Sequence, residues 1–219
     1  MSKQIAIDGP AGAGKSTIAR RVAKNLGFIY VDTGAMYRAM ALFMIKEGIG
    51  ADETEKIVEK CKAADITIKH ENGEQMVFLN GENVNGLIRT QEVGNMASAI
   101  SVIGYVREKL VELQQKLAET TDVVMDGRDI GTVVLPNAEC KVYLTASSKV
   151  RADRRFKELT EKGMECDIDV IEKEIIERDY RDMHRDISPL KQADDAVLVD
   201  SSDMTIDEVV DKIITLYKG

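Results

Sequence analysis

Cysteine, histidine, long apolar runs and surplus positive charge are all scarce in this chain of 219 residues. Cys61, Cys140 and Cys166 are scattered and odd in number, so they suggest neither a disulfide framework nor a Cys-x-x-Cys zinc site. His70 and His184 alone cannot build a His-rich metal site. No apolar stretch approaches the roughly 18 residues of a membrane span, and the N-terminus enters a first strand at once, without a signal-peptide pattern. Lys and Arg number 30 against 38 Asp and Glu, a formal net charge of −8. That balance argues against nucleic acid or a membrane surface as main partner, so phosphate binding must come from local clusters of Lys and Arg. Repeats, low-complexity tracts and long linkers are missing as well. What remains is an ordinary globular composition, 44% hydrophobic and 31% charged, long enough for a full core. A cytoplasmic monomer with small-molecule partners is expected.

What is present is dominated by one stretch. Ile5-Ala6-Ile7-Asp8 reads as a short apolar strand, and Gly9-Pro10-Ala11-Gly12-Ala13-Gly14-Lys15-Ser16-Thr17 follows it. This fits G-x-x-x-x-G-K-[ST], and Ile18, Val22 and Leu26 continue it at helical spacing. Glycines let the backbone curl so that N–H groups and a helix N-terminus face phosphate oxygens. Lys15 can reach the β and γ phosphates, and the Ser16 hydroxyl suits magnesium. The stretch predicts nucleoside triphosphate binding.

The rest alternates strand and helix. Phe28–Val31 reads as a second strand ending on Asp32-Thr33-Gly34, before a helix through Met36, Met40, Phe43 and Met44. Ligands in parallel α/β sheets collect outside the carboxyl ends of strands, which places Asp32, Thr33, Tyr37 and Arg38 near the P-loop. Asp52-Glu53-Thr54-Glu55 predicts a capping box opening a short helix to about Cys61. Residues 63–86 read as an antiparallel insert, with turns at Glu71–Glu74 and Asn80-Gly81. Helical patterns resume at Thr90 and again through Val106, Leu110, Leu113 and Leu117. Val123–Met125 predicts a third core strand ending on Asp126-Gly127-Arg128-Asp129, where Asp126 fits either ordering of magnesium waters or capping of the turn. A fourth strand spans 140–145, with a helix after it from Ser147 or Ser148. A further helix, about Asp169 to His184, sets Arg178, Asp182 and Arg185 on one face. Six of the twelve arginines fall between 151 and 185, and Arg suits bidentate phosphate recognition. Ala196–Val199 is the last strand, and Thr205 to Glu208 caps the last helix.

Five segments in this order, the P-loop, Asp32-Thr33-Gly34-Ala35-Met36-Tyr37-Arg38, Ile88-Arg89-Thr90-Gln91-Glu92, Asp126-Gly127-Arg128-Asp129-Ile130-Gly131-Thr132 and Glu177-Arg178-Asp179 with Asp182 and Arg185, closely resemble the bacterial cytidylate kinases over residues 3 to 217. The resemblance implies an α/β P-loop fold of three layers, with a core of five parallel strands, a monophosphate-binding domain holding the antiparallel insert, and a helical lid. On this chain the core would take residues 1–34, 106–150 and 186–219, the monophosphate domain 35–105, and the lid with its flanking helices 151–185. The reaction implied is phosphoryl transfer from ATP, with Mg2+, to CMP or dCMP. Arg38, Arg128 and Arg185 would clamp the acceptor phosphate. Ser98, Arg107 and Asp129 would read the base in a pocket lined by Thr33 and Tyr37, with Arg178 and Asp182 on the sugar. Lys15 and a lid arginine, Arg154 or Arg155, with Arg155 the preferred one, would complete the catalytic cations. Thr33 stands where some relatives carry serine, which keeps the hydroxyl; Met183 and His184 are less typical.

The competing readings are weaker. A GTP switch expects an Asn-Lys-x-Asp guanine reader, which this sequence does not contain. A nucleic-acid-remodelling ATPase conflicts with the acidic charge and the missing basic stripe. Kinases of the same fold acting on UMP, AMP or a sugar acid remain as neighbouring alternatives.

Overall fold

The structure is a computed structural model that describes residues 2–71 and 74–219. Its elements run β1 (Gln4–Asp8), α1 (Lys15–Leu26), β2 (Ile29–Asp32), α2 (Thr33–Lys46), α3 (Thr54–Cys61), β3 (Ile66–Glu71), β4 (Glu74–Leu79) and β5 (Glu82–Asn83). They continue with α4 (Gln91–Ile100), α5 (Gly104–Thr120), β6 (Val123–Gly127), a π-helical turn (Ile130–Val134), β7 (Cys140–Thr145), α6 (Ser148–Glu161), α7 (Ile168–His184), β8 (Val197–Asp200) and α8 (Ile206–Lys218).

Five strands form a parallel sheet in the order β2-β6-β1-β7-β8. β1 lies at its centre, so both faces of Ile5, Ala6 and Ile7 are covered, which is why this strand is apolar without alternation. Register aligns the strand ends: Asp8 sits opposite Gly127 and Tyr143, and Asp32 opposite Asp126. One rim of the sheet therefore gathers the residues that follow each strand.

Three apolar cores hold the fold. One packs α1 and α8 against one sheet face, through Ile18, Val22, Val209 and Ile213. Another packs the C-terminal half of α5 and the residues after β6 against the other face, through Ala118, Met125, Ile130 and Leu135. The third lies outside the sheet, where α2, α3 and α4 join the antiparallel strands β3, β4 and β5 and the start of α5 through Met40, Ile57, Val77 and Leu110. Helix α5 thus belongs to two cores.

Several boundaries differ from the sequence expectation. β2 begins at Ile29 and includes Asp32, and α2 follows without a loop because the Asp32 carboxylate accepts from the Ala35 N–H at 2.9 Å. The capping box expected at Asp52–Glu55 does not form: Glu53 occupies the N-cap of α3 and turns its carboxylate to the Gly50 N–H, 2.8 Å away. The helix starts one residue later than the box requires, which leaves Asp52 outside the N-cap position. Arg185 lies one residue past α7, in extended conformation, rather than on the helix with Arg178 and Asp182. The last strand is Val197–Asp200, one residue later than expected. The π-helical turn at Ile130–Val134 was not anticipated. At the tip of β3 and β4, Asn72 and Gly73 of the expected turn lie outside the described residues. The capping box at Thr205 and Glu208 forms as expected.

Candidate active site

The P-loop wraps the end of β1. Gly9 takes φ +149°, and a Cβ there would lie 1.9 Å from the Leu144 carbonyl oxygen, so only glycine lets the loop pass β7. Gly14, at φ 85°, opens α1. Lys15 is buried and donates from Nζ to the Pro10 carbonyl at 2.7 Å, spanning the loop from inside. Burial, then the nearby Arg128 charge, pulls its ammonium down to about 7. A cleft of about 620 Å³ opens beside this loop, lined by residues 12–18, by Arg151, Arg154, Arg155 and Glu158 of α6, and by Ser201 and Met204 to Ile206. Of the expected nucleotide-binding residues, Gly12 to Thr17 face this cleft, while Gly9 and Pro10 are buried beneath it.

Arg151 has a different place from its neighbours. Its side chain is buried and donates to Ala146 O and Ala11 O, both at 2.9 Å, and to Asp179 of α7 at 2.6 Å. It ties the P-loop to α7. Arg154 donates to Ser201 O at 3.0 Å, and among the described residues Arg155 pairs only with Glu158, on the half-open surface of α6.

Three carboxylates mark the strand ends. Asp126 accepts from the Ser16 and Tyr30 hydroxyls, each at 2.9 Å, and its carbonyl accepts from Thr33 Oγ1 at 2.7 Å. Burial, then the Asp32 charge, pushes its carboxyl up. It does not cap the turn after β6. Asp8 does that, accepting from the N–H groups of Ile130 and Gly131 at 2.7 Å each. Burial pushes Asp8 up to about 6 against the pull of these bonds. Asp32 is spent on its own helix and on cations: besides capping α2 it accepts from Arg38 at 2.9 Å and lies 3.4 Å from Arg89.

A second cleft, about 330 Å³, meets the first at Gly12, Lys15 and Ser16. Asp32, Thr33, Tyr37, Arg38, Ser98, Arg107, Arg128, Asp129, Arg178, Asp182 and Arg185 all line it. These are the acceptor-site residues expected from sequence, brought together from β2, α2, α4, α5, the turn after β6, and α7 with the residue that follows it. Arg107 and Asp129 form a buried ion pair, and Arg107 lies 5.7 Å over the Tyr37 ring. Arg185 approaches the other Asp129 oxygen at 4.0 Å and donates from Nε to Ser188 O at 2.7 Å. Arg128 donates to Asp182 at 2.8 Å. Burial pushes the Asp182 carboxyl up, but the charge and hydrogen bond of Arg128, with Arg178 and Arg185, outweigh it and hold it below its usual range. Among the described residues, six buried side-chain atoms lack a hydrogen-bond partner; three are guanidinium nitrogens of this cleft, Arg38 Nε, Arg107 Nε and Arg185 Nη2. Buried N–H groups without a partner are costly, and here all three belong to arginines that line this one cleft.

Sequence reasoning missed Asp8 as a cap, Arg151 as a tie and the pair His70 and Gln75, which bond to the backbone of β2. Only Asp8 carried a signal, as the last residue of the P-loop strand.

Comparison with known proteins agrees with this geometry. A family model described as cytidylate kinase matches residues 5–219. A curated cytidylate kinase from Caldicellulosiruptor saccharolyticus is 53% identical over 213 residues, covering 97% of this chain and 94% of its own. One from Streptococcus pneumoniae is 52% identical over 211 residues, covering 96% and 95%. In fold alone, the chain is similar to the shikimate kinase structure from Bacteroides thetaiotaomicron, with TM-score 0.50 and 14% identity over 99% of each chain. Two clefts joined at a P-loop lysine, and a match that spans nearly the whole chain, place this protein in the cytidylate kinase family.

Proposed function

We propose that this protein transfers the terminal phosphoryl group of ATP to CMP or dCMP, giving ADP and the corresponding diphosphate. The observation that carries this reading is the gathering of Arg38, Arg107, Arg128 and Arg185, from separate parts of the chain, around one cleft beside Lys15. ATP takes the larger cleft, with its phosphates against the P-loop N–H groups and Lys15. The acceptor monophosphate takes the smaller one. Its second pKa is about 6, so near pH 7 it is already a dianionic nucleophile and needs no general base. Transfer passes in line through a loose transition state, where positioning and charge neutralisation dominate. Arg38, Arg128 and Arg185 hold the acceptor phosphate, and Arg155, which lines the larger cleft from α6 and is paired with the surface Glu158, closes over the transferring group. Water is excluded by that closure, which favours transfer over hydrolysis.

The base is read by polarity. Cytosine presents an N4 amino donor beside the N3 acceptor. Asp129 keeps lone pairs on the oxygen turned away from Arg107, and Arg107 Nε is a donor still free. Uracil reverses both positions and leaves buried groups unmatched, at about 1–3 kcal/mol each. Ser98, Thr33 and Tyr37 complete that pocket, and Arg178 with Asp182 meets the sugar.

Magnesium fits the residues present. Ser16 Oγ and the Asp126 carboxylate lie 2.9 Å apart beside the P-loop and offer hard oxygens. No cluster of three acidic, His or Cys side chains occurs among the described residues, which suits an ion that keeps waters and phosphate oxygens as ligands. Ser16 would ligate it directly and Asp126 would order its waters. When bound, the ion neutralises charge on the β and γ phosphates.

In this reading residues 35–105 form the acceptor unit around their own apolar core, residues 151–185 the lid with its flanking helices, and the remainder the P-loop core. The protein works as a cytoplasmic monomer on small molecules, in keeping with a net charge of −8. No helix among the described residues is long and apolar enough to cross a membrane. The test is ADP release from ATP and magnesium with CMP, dCMP, UMP, AMP or no acceptor in parallel. CMP and dCMP should raise turnover far above the acceptor-free rate, with UMP behind them. Turnover indifferent to acceptor would retain the P-loop assignment and overturn the arginine clamp.

A further inference from the structure

The small antiparallel sheet grips two residues of β2: Asp32, which lines the acceptor cleft, and Tyr30, whose hydroxyl donates to Asp126. Strand β2 ends the parallel sheet, so one of its edges has no neighbouring strand there. An open edge presents unpaired N–H and C=O groups. Gln75 covers Asp32: its Oε1 accepts from the Asp32 N–H at 2.8 Å, and its Nε2 donates to the Asp32 carbonyl at 3.2 Å. The amide thereby imitates a β-bridge with one residue. His70, opposite Gln75 in the β3–β4 register, sets Nε2 3.0 Å from the Tyr30 carbonyl. Gln75 is itself held, because Asn85 Nδ2 donates to its carbonyl at 2.8 Å while Asn85 Oδ1 accepts from Val77 N–H at 2.7 Å. On the far side, Asp32 caps α2 and holds Arg38. A continuous run of hydrogen bonds therefore leads from Asn85 through Gln75 and Asp32 to an arginine of the acceptor cleft.

We propose that Gln75 is a positioning residue for the acceptor clamp. By fixing both backbone groups of Asp32 it fixes the first turn of α2 and the guanidinium of Arg38, so the antiparallel sheet sets acceptor geometry without touching the acceptor. The proposal rests on the CMP kinase reading above. A purely structural role predicts something else, since stability lost at this junction would weaken both substrates or neither. An arginine displaced by a fraction of an ångström weakens the acceptor alone, because transfer depends steeply on the placement of reacting groups.

Gln75→Met keeps the size of the side chain and removes both hydrogen bonds. Steady-state kinetics should show KM for CMP raised about tenfold and KM for ATP within about twofold of wild type. Hydrogen exchange at the Asp32 amide should accelerate in the same variant. Adding Gln75→Met to Arg38→Ala should then change KM for CMP little, since both act through one group. Unchanged KM for CMP, equal rises for both substrates, or additive effects with Arg38→Ala would each overturn the proposal. If wild type showed no CMP-dependent ADP release, the kinase reading would fail instead, and Asp32 amide exchange would still judge the clamp.

Discussion

The two clefts that meet at Lys15 solve one problem in opposite ways. The cleft proposed for ATP, the ATP side, is built largely around one contiguous stretch, residues 9–17, whose backbone N–H groups and helix end supply partial charges that need no counter-ions. The cleft proposed for the acceptor, the acceptor side, is built from full charges on separate elements, and its cations carry carboxylates: Arg38 with Asp32, Arg107 with Asp129, Arg128 with Asp182. Burying a guanidinium without a partner is prohibitive, so each must be neutralised before any ligand arrives. The carboxylates also fix where each cation points. The acceptor side thus gains geometry at the cost of a site in which the ligand must compete with aspartates already in place. Lys15 stands on the boundary and shows the strain of it, with its ammonium pulled down to about 7.

The difference can be broken first at Asp129. Asp129→Ala leaves the buried Arg107 charge uncompensated, which should cost about 3–5 kcal/mol of unfolding free energy in a denaturant titration. The same variant should narrow the preference for CMP over UMP in kcat/KM; a preference kept in full would remove Asp129 from base reading. On the ATP side the vulnerable atom is on the backbone. Gly9→Ala puts a methyl group 1.9 Å from Leu144 O, and the loop must shift, at about 3 kcal/mol. ATP affinity by calorimetry should fall while CMP affinity holds, and an equal loss for both would mean the clefts are not separable in this way.

Asp8 sharpens the comparison with the smallest effect, because this buried acid uses backbone N–H groups as partners, as the ATP side does. Its pKa is raised from 3.8 to about 6, so between those values the native state binds more protons than the unfolded chain. Its contribution to stability is therefore lost as pH rises through that window, by about 2 kcal/mol from pH 4 to pH 6. Unfolding free energies of wild type and Asp8→Asn, compared at both pH values, should differ in slope by that amount. Parallel slopes would show that burial does not raise this group.

Legibility followed the same division. The P-loop could be read because its chemistry is local: spacing, glycines, lysine and a flanking strand and helix sit within one segment. The acceptor residues could be nominated only through five separated motifs, since no spacing in the chain says that Arg107 meets Asp129 across 22 positions. Asp32 was expected to face the acceptor, and it does line the cleft, but its carboxylate is already taken by Ala35, Arg38 and Arg89. Gln75 gave no signal, because an alternating strand position does not reveal which backbone its amide will meet.

By itself, then, the sequence determined the order of strands and helices, the phosphate loop and the supply of arginines, all of which depend on neighbours within about ten residues. Tertiary structure alone decided which arginine is free and which is bound. Arg151, Arg154 and Arg155 share one helix and one local pattern, yet Arg151 is locked between Ala11, Ala146 and Asp179, whereas Arg155 faces the cleft with a single surface partner. The physical reason is that a buried charge takes its role from whichever oxygens the fold brings within hydrogen-bonding distance, and those lie up to 140 positions away in the chain.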